Sequence, residues 1–141
     1  MKNKTMIGLA SILLFLSLNT VAQKTAPILP GAYQTTQYLP LLKNKRVGLF
    51  TNHTATVGKK HLIDTLLASG IQIQKVFTPE HGLRGTADAG EKTKDGIDEA
   101  TGVKIVSLYG KKYGPSEADL TDVDVLLFDI QDVGTRFYTY I

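Results

Sequence analysis

The chain has 141 residues, 43% hydrophobic and 21% charged, a balance that excludes a disordered tail. Its 13 glycines and 5 prolines follow no period, which excludes collagen-like and low-complexity chains, and the lack of cysteine excludes disulfide scaffolds, Cys-based zinc sites and thiol nucleophiles. The formal charge is +3, from 16 basic and 13 acidic residues; without Lys2 and Lys4 it is 14 against 13, which gives no electrostatic case for nucleic acid.

Lys2 and Lys4 precede an apolar run from Met6 to Leu18, and Thr20-Val21-Ala22 offers the small residues of a cleavage site. The run is shorter than the roughly 20 residues that span a bilayer as a helix. Residues 1–22 are therefore expected to be a signal peptide, making the protein exported, periplasmic or secreted, with no stable membrane anchor after its removal. Residues 23–45, punctuated by Pro27, Pro30, Gly31 and Pro40, are expected to form an arm or linker, with Tyr38, Leu39, Leu41 and Leu42 able to pack on the domain.

From Arg46 the pattern changes. Val47-Gly48-Leu49-Phe50 reads as a buried strand that ends in polar Thr51-Asn52-His53. Residues 59–69 carry Leu62, Ile63, Leu66 and Leu67 at helical spacing, with His61 on the helix surface and Gly70 where a C-terminal cap belongs. Residues 71–77 alternate as a strand before Pro79, and residues 103–108 read as a third strand. Residues 123–130, the most hydrophobic, are expected to form a fourth and central strand, after a short helix over 115–120. This rhythm predicts an α/β domain with a parallel sheet and flanking helices. The connection over 78–102 has no helical stripe, and loops of that length are usually functional or mobile.

In open parallel sheets ligands bind beyond the carboxyl ends of the strands. Thr51-Asn52-His53, Pro79-Glu80-His81-Gly82 and Gln131-Asp132 all fall at such ends and are expected to share one rim. Glu80 is the sharpest candidate. Pro79 fixes the chain direction before it, Gly82 permits a turn after His81, and a carboxyl partly screened from water suits proton donation to a leaving group. The plainer reading is that Glu80 caps its loop through backbone N–H groups while His81 packs at the surface. Arg84 suits an anionic substrate group, or an ion pair with Glu80. Asp129 and Asp132 suit glycoside hydrolysis, cation binding, or the capping of a following helix. Asn52 and His53 suit hydrogen bonds to a sugar or amide, or the shaping of a turn. His53, His61 and His81 lack a helical metal-binding spacing, so no metal is assigned. Neither G-x-G-x-x-G, nor a Walker loop, nor G-x-S-x-G follows a strand, so no organic cofactor is called for.

Five words, in order, carry a resemblance: Gly48-Leu49-Phe50-Thr51-Asn52-His53-Thr54, Thr78-Pro79-Glu80-His81-Gly82-Leu83-Arg84-Gly85, Ala89-Gly90-Glu91, Ser107-Leu108-Tyr109-Gly110, and the stretch from Phe128 through Asp129-Ile130-Gln131-Asp132-Val133-Gly134-Thr135-Arg136-Phe137 to Tyr138-Thr139-Tyr140. Together they resemble the exo-β-N-acetylmuramidase family, long described as a domain of unknown function, DUF1343. The resemblance implies a Rossmann-like N-terminal domain followed by a smaller C-terminal domain, and an exo-acting glycosidase that removes N-acetylmuramic acid from the non-reducing end of peptidoglycan fragments. It implies Glu80 as general acid/base. Asn52, His53, His81, Asp129, Gln131, Asp132, Arg136 and Tyr138 would line the pocket, with Arg84 or Arg136 receiving the lactyl carboxylate. The partners implied are muropeptides or disaccharides. One departure is Ala55 where a glycine commonly follows the threonine. The other is that residues 46–141 cover only part of the expected fold, so the chain is expected to be a truncated, inactive portion lacking the C-terminal domain. A non-catalytic muropeptide-binding module is the alternative.

Overall fold

The computed structural model describes residues 27–112 and 114–131. The leader, Asp132, Arg136 and Tyr138 lie outside them. Seven strands and three α-helices follow in chain order: α1 (Thr35–Leu42), β1 (Arg46–Thr51), β2 (Thr56–Val57), β3 (Lys60–His61), α2 (Leu62–Ala68), β4 (Gln72–Thr78), β5 (Gly96–Ile97), β6 (Lys104–Ser107), α3 (Glu117–Leu120) and β7 (Val125–Asp129). Five strands form one sheet in the order β5-β6-β4-β1-β7, and β2 and β3 pair as a small antiparallel ribbon.

The pairings of β1 with β4, β1 with β7 and β4 with β6 are parallel. The α/β parallel core expected from sequence is present, with one difference: β5 runs antiparallel to β6, so the sheet is mixed. From β1 the chain moves outward to β4 and β6, then crosses back to place β7 on the other side of β1. That reversal opens a crevice between the carboxyl ends of β1 and β7, the position where doubly wound sheets bind ligands.

Two apolar layers hold the sheet. On one face Val47, Leu49, Ile73 and Val76 pack with Leu62, Ile63 and Leu66 of α2 and Leu42 of α1. On the other, Phe50, Phe77, Val106 and Leu108 pack with Leu120 of α3. β4 serves both layers through an irregularity. Val47 pairs with Ile73 but Gly48 pairs with Lys75, so Gln74 is an extra residue bulged out of the ladder. The bulge turns Lys75 away from the face of Ile73. Its buried ammonium donates to the Asp119 carbonyl at 2.8 Å and pairs with Asp122 beside α3.

Three elements depart from the sequence reading. The arm contains a helix, α1, despite Pro40 within it; Tyr38, Leu39 and Leu42 pack on the core as expected, while Leu41 is 71% exposed. The helix expected over 59–69 begins only at Leu62, because Lys60 and His61 are extended and pair back on Thr56 and Val57. β7 is not central among the described residues: it follows β1 at the end of the sheet, where Leu126 and Phe128 are 41% and 47% exposed.

Candidate active site

The register places one polar side chain from each parallel strand in a single row at the carboxyl edge. Ser107 pairs with Thr78, Phe50 with Phe77 just before Thr51, and Thr51 with Asp129. Each follows by two residues an apolar member of the α2-side layer (Ile105, Val76, Leu49 and Leu127), so all four side chains point to that face. The hydroxyls of Thr51 and Thr78 are fully buried and carry no hydrogen bond among the described residues. Burial raises the affinity of the Asp129 carboxyl for its proton, with His61 opposing weakly; Asp129 in turn adds to the burial that holds the Tyr38 phenol above its ordinary value.

Above this row lie three loops. After β1, buried Asn52 makes an Asx turn, its Oδ1 accepting from Thr54 N at 3.0 Å and Thr54 Oγ1 at 2.8 Å. Among the described residues its amide NH2 group makes no hydrogen bond that would commit it. His61 fixes the Asn52 backbone. Its Nε2 donates to the Asn52 carbonyl at 2.8 Å, and its Nδ1 accepts from Ile63 N at 3.3 Å, capping α2. Those two bonds require the neutral imidazole, and burial accordingly lowers the His61 pKa. His61 is thus no surface residue of a helix but a half-buried strut. The only signal in sequence was its place one residue before an apolar helical stripe, where Ser, Thr, Asp or Asn is usual.

After β4, the chain turns at His81 itself, which has φ +68°, followed by Gly82 at +73°. A left-handed histidine is a strained residue, of the kind that clusters at functional sites. Its Nδ1 donates to the Ala87 carbonyl at 3.0 Å, and its ring meets the ring of exposed His53 edge-on at 6.1 Å. Half-buried Glu80 accepts the Gly90 N–H on Oε1 at 2.6 Å. Gly85 (φ +70°) lies so close to His53 that a Cβ there would sit 2.8 Å from the ring. His53, His81 and Gly85 are therefore brought together, while Glu80, the chain neighbour of His81, is tied to Gly90. Gln131 is exposed just beyond β7.

Arg84 stands apart from these. Its guanidinium donates to Asp98 at 2.7 and 3.0 Å and to Asp64 at 3.2 Å, joining the loop to α2 and the turn before β6. The ion pair with Glu80 does not form. With both edges of its fork engaged, Arg84 serves as a loop anchor rather than an open carboxylate receptor, and Asp98 is held below the ordinary carboxylate range by that contact first. Two of its partners, Asp64 and Asp98, carried no signal in sequence because they lie 20 and 14 residues away. No group of three or more His, Asp or Glu suited to a metal occurs among the described residues. Nor, among them, is any helix long and apolar enough to cross a membrane.

The comparisons with known proteins fall on this same stretch. Residues 47–141 match the family described as exo-β-N-acetylmuramidase NamZ, N-terminal. The peptidoglycan β-N-acetylmuramidase NamZ of Bacillus subtilis (strain 168) is 50% identical over 106 residues, which are 74% of this chain and 26% of that protein. Two solved DUF1343 family proteins of Bacteroides fragilis NCTC 9343 superpose with TM-scores of 0.66 and 0.64, at 48% and 40% identity; they cover 82% and 75% of this chain and 29% and 26% of theirs. The chain thus spans about a quarter of the length of the curated relative. On sequence and fold together, the chain belongs to the exo-β-N-acetylmuramidase NamZ (DUF1343) family, through that family's N-terminal domain.

Proposed function

We propose that this domain forms one wall of the active site of an exported, exo-acting glycoside hydrolase, which releases N-acetylmuramic acid from the non-reducing end of peptidoglycan fragments. Membership of the family supports the reaction class, and the named Bacillus subtilis relative supports the substrate. The observation that carries the residue assignment is the strained turn at the carboxyl end of β4. It holds Glu80 half-buried and next in the chain to His81, with Oε1 oriented by Gly90 N–H and Oε2 free of any hydrogen bond among the described residues. In this reading Glu80 gives its proton to the glycosidic oxygen as the bond breaks. Hydrolysis then completes with water, which supplies the new hydroxyl and returns a proton to the carboxylate. Asn52 offers its amide NH2 group, which makes no hydrogen bond among the described residues, to a sugar or acetamido oxygen. His81, whose Nδ1–H is spent on Ala87, presents Nε2 as an acceptor. Asp129 and Gln131 are proposed to meet the substrate from the β7 side, and Asp132, Arg136 and Tyr138 to bind it as well. No cofactor enters the mechanism.

A second reading rests on the same bond. Glu80 clamping Gly90 N–H is what a loop cap would look like, and the rim would then bind muropeptides without cleaving them. Glu80→Gln separates the two. The test uses the enzyme carrying this domain, or a hybrid in which it replaces the matching segment of the Bacillus subtilis relative. Release of muramic acid from a chromogenic muramide should fall by about 100-fold or more with the melting temperature unchanged. Near-normal turnover removes Glu80 from the chemistry.

A further inference from the structure

The loop that holds Glu80 also walls a second feature. Two residues beyond Gly90, the segment 92–95 lines, with residues 109–112 that follow β6, a half-open pocket of about 560 Å³ at the neighbouring strand end. Cavities of this size suit a small molecule rather than a single water or ion. Its lining is basic: Lys92, Lys94, Lys111 and Lys112 against a single carboxylate, Asp95. Lys112 is paired with Asp119 at 2.6 Å, and Asp95 accepts the Ser107 N–H at 2.8 Å. The ammonium groups of Lys92, Lys94 and Lys111 have no ion pair or hydrogen bond among the described residues. The Lys92 stem packs against Gly110, where a Cβ would meet it at 3.4 Å. At the floor, the Ser107 and Thr93 hydroxyls share a hydrogen bond of 2.7 Å, and Ser107 Oγ also bonds to the Tyr109 backbone.

Three exposed lysines around one concavity, unpaired among the described residues, repel each other and draw anions to it. A ligand with two or more negative charges relieves that repulsion. We propose that this cavity binds an anionic substituent of the glycan, bearing at least two negative charges, next to the sugar that Glu80 protonates. The inference rests on the muramidase reading for its glycan, and on the lysines alone for its charge. Two sources share this chemistry: carboxylates of a peptide carried on the lactyl group, and a phosphate ester on the sugar.

The test is calorimetric titration of the enzyme carrying this domain, or of the Bacillus subtilis hybrid, with three ligands: the uncharged methyl ester of N-acetylmuramic acid, N-acetylmuramyl-L-alanyl-D-glutamate, and N-acetylmuramic acid 6-phosphate. Pyrophosphate serves as an anion without sugar. The expected result is that at least one charged saccharide binds about tenfold or more tightly than the ester, and that Lys94→Gln/Lys111→Gln removes the difference. Whichever saccharide shows the preference identifies the source. Equal binding of all three saccharides, unchanged in the double variant, overturns the inference while the muramidase reading stands. No saccharide binding, with pyrophosphate still held through the lysines, overturns the muramidase reading and the glycan source with it.

Discussion

Gly85→Ala tests how the two histidines are held together. Gly85 has φ +70°, and a left-handed backbone costs a residue with a Cβ roughly 1–2 kcal/mol. The new methyl would also meet His53 Cγ at 2.8 Å and Cβ at 3.0 Å. His53 is exposed, so its ring can swing aside, but only by giving up its edge contact with His81, worth about 0.5–1.5 kcal/mol. The expected loss is about 2–3 kcal/mol. Gly102→Ala is the matched control, since Gly102 has φ +73° and nothing lies within 4 Å of the point its methyl would occupy. It should cost only the backbone strain. Thermal unfolding followed by circular dichroism should show a drop of about 10 °C for Gly85→Ala and about half that for Gly102→Ala. The ring resonances of His53 and His81 should move in the first variant alone. Equal losses with unmoved histidine signals would refute the account of this contact.

Arg84→Met should destabilise the domain by about 2 kcal/mol in denaturant titration, because Asp98, only 5% exposed, loses its cation. Asp98 is held below its ordinary value, so its stabilisation is complete above about pH 4 and is lost as pH falls through the depressed folded value; the variant should unfold less steeply with acid. The His61 pKa is lowered too, so the stability it confers is complete above about 6.5 and lost as pH drops through the folded value. His61→Gln, which can still donate to the Asn52 carbonyl, should flatten stability in the window just below about pH 6.5. A wild-type slope in that window would place the titrating group elsewhere.

The parallel strands were legible because they are short apolar runs ending in polar residues. Their rim was legible because topology sends all those ends to one side. What escaped had a physical reason in each case. α1 lacks a side-chain cap and contains Pro40, so local signals oppose it; Tyr38, Leu39 and Leu42 hold it through packing. The β2–β3 ribbon is two residues per strand, too short for any alternation to register. β5 is equally short and exposed, held by its backbone pairing with β6. Charge type alone marks Arg84 as an anion receptor, and charge type does not reveal that Asp64 and Asp98 already claim it. Of the proposed pocket, His53 and His81 meet ring to edge, with Asn52 and Glu80 their neighbours in the chain, whereas Asp132, Arg136 and Tyr138 lie outside the described residues.

The bulged Gln74 has a consequence for how this domain tolerates change. Ile71-Gln72-Ile73-Gln74 keeps a strict beat, and Lys75-Val76-Phe77 resumes it one step late. Forcing Gln74 into the ladder would invert everything after it: Lys75 would be driven into the aliphatic layer, and Thr78 would leave its row, with Pro79 and Glu80 departing from the wrong side of the sheet. Removing Gln74 altogether does the opposite, because Lys75 would follow Ile73 directly and keep its pairing with Gly48, as Val76 keeps Leu49 and Phe77 keeps Phe50. The bulge is thus what lets the strand carry one residue more than its two faces need, so a single-codon deletion of Gln74 should be tolerated about as well as a substitution at the same place.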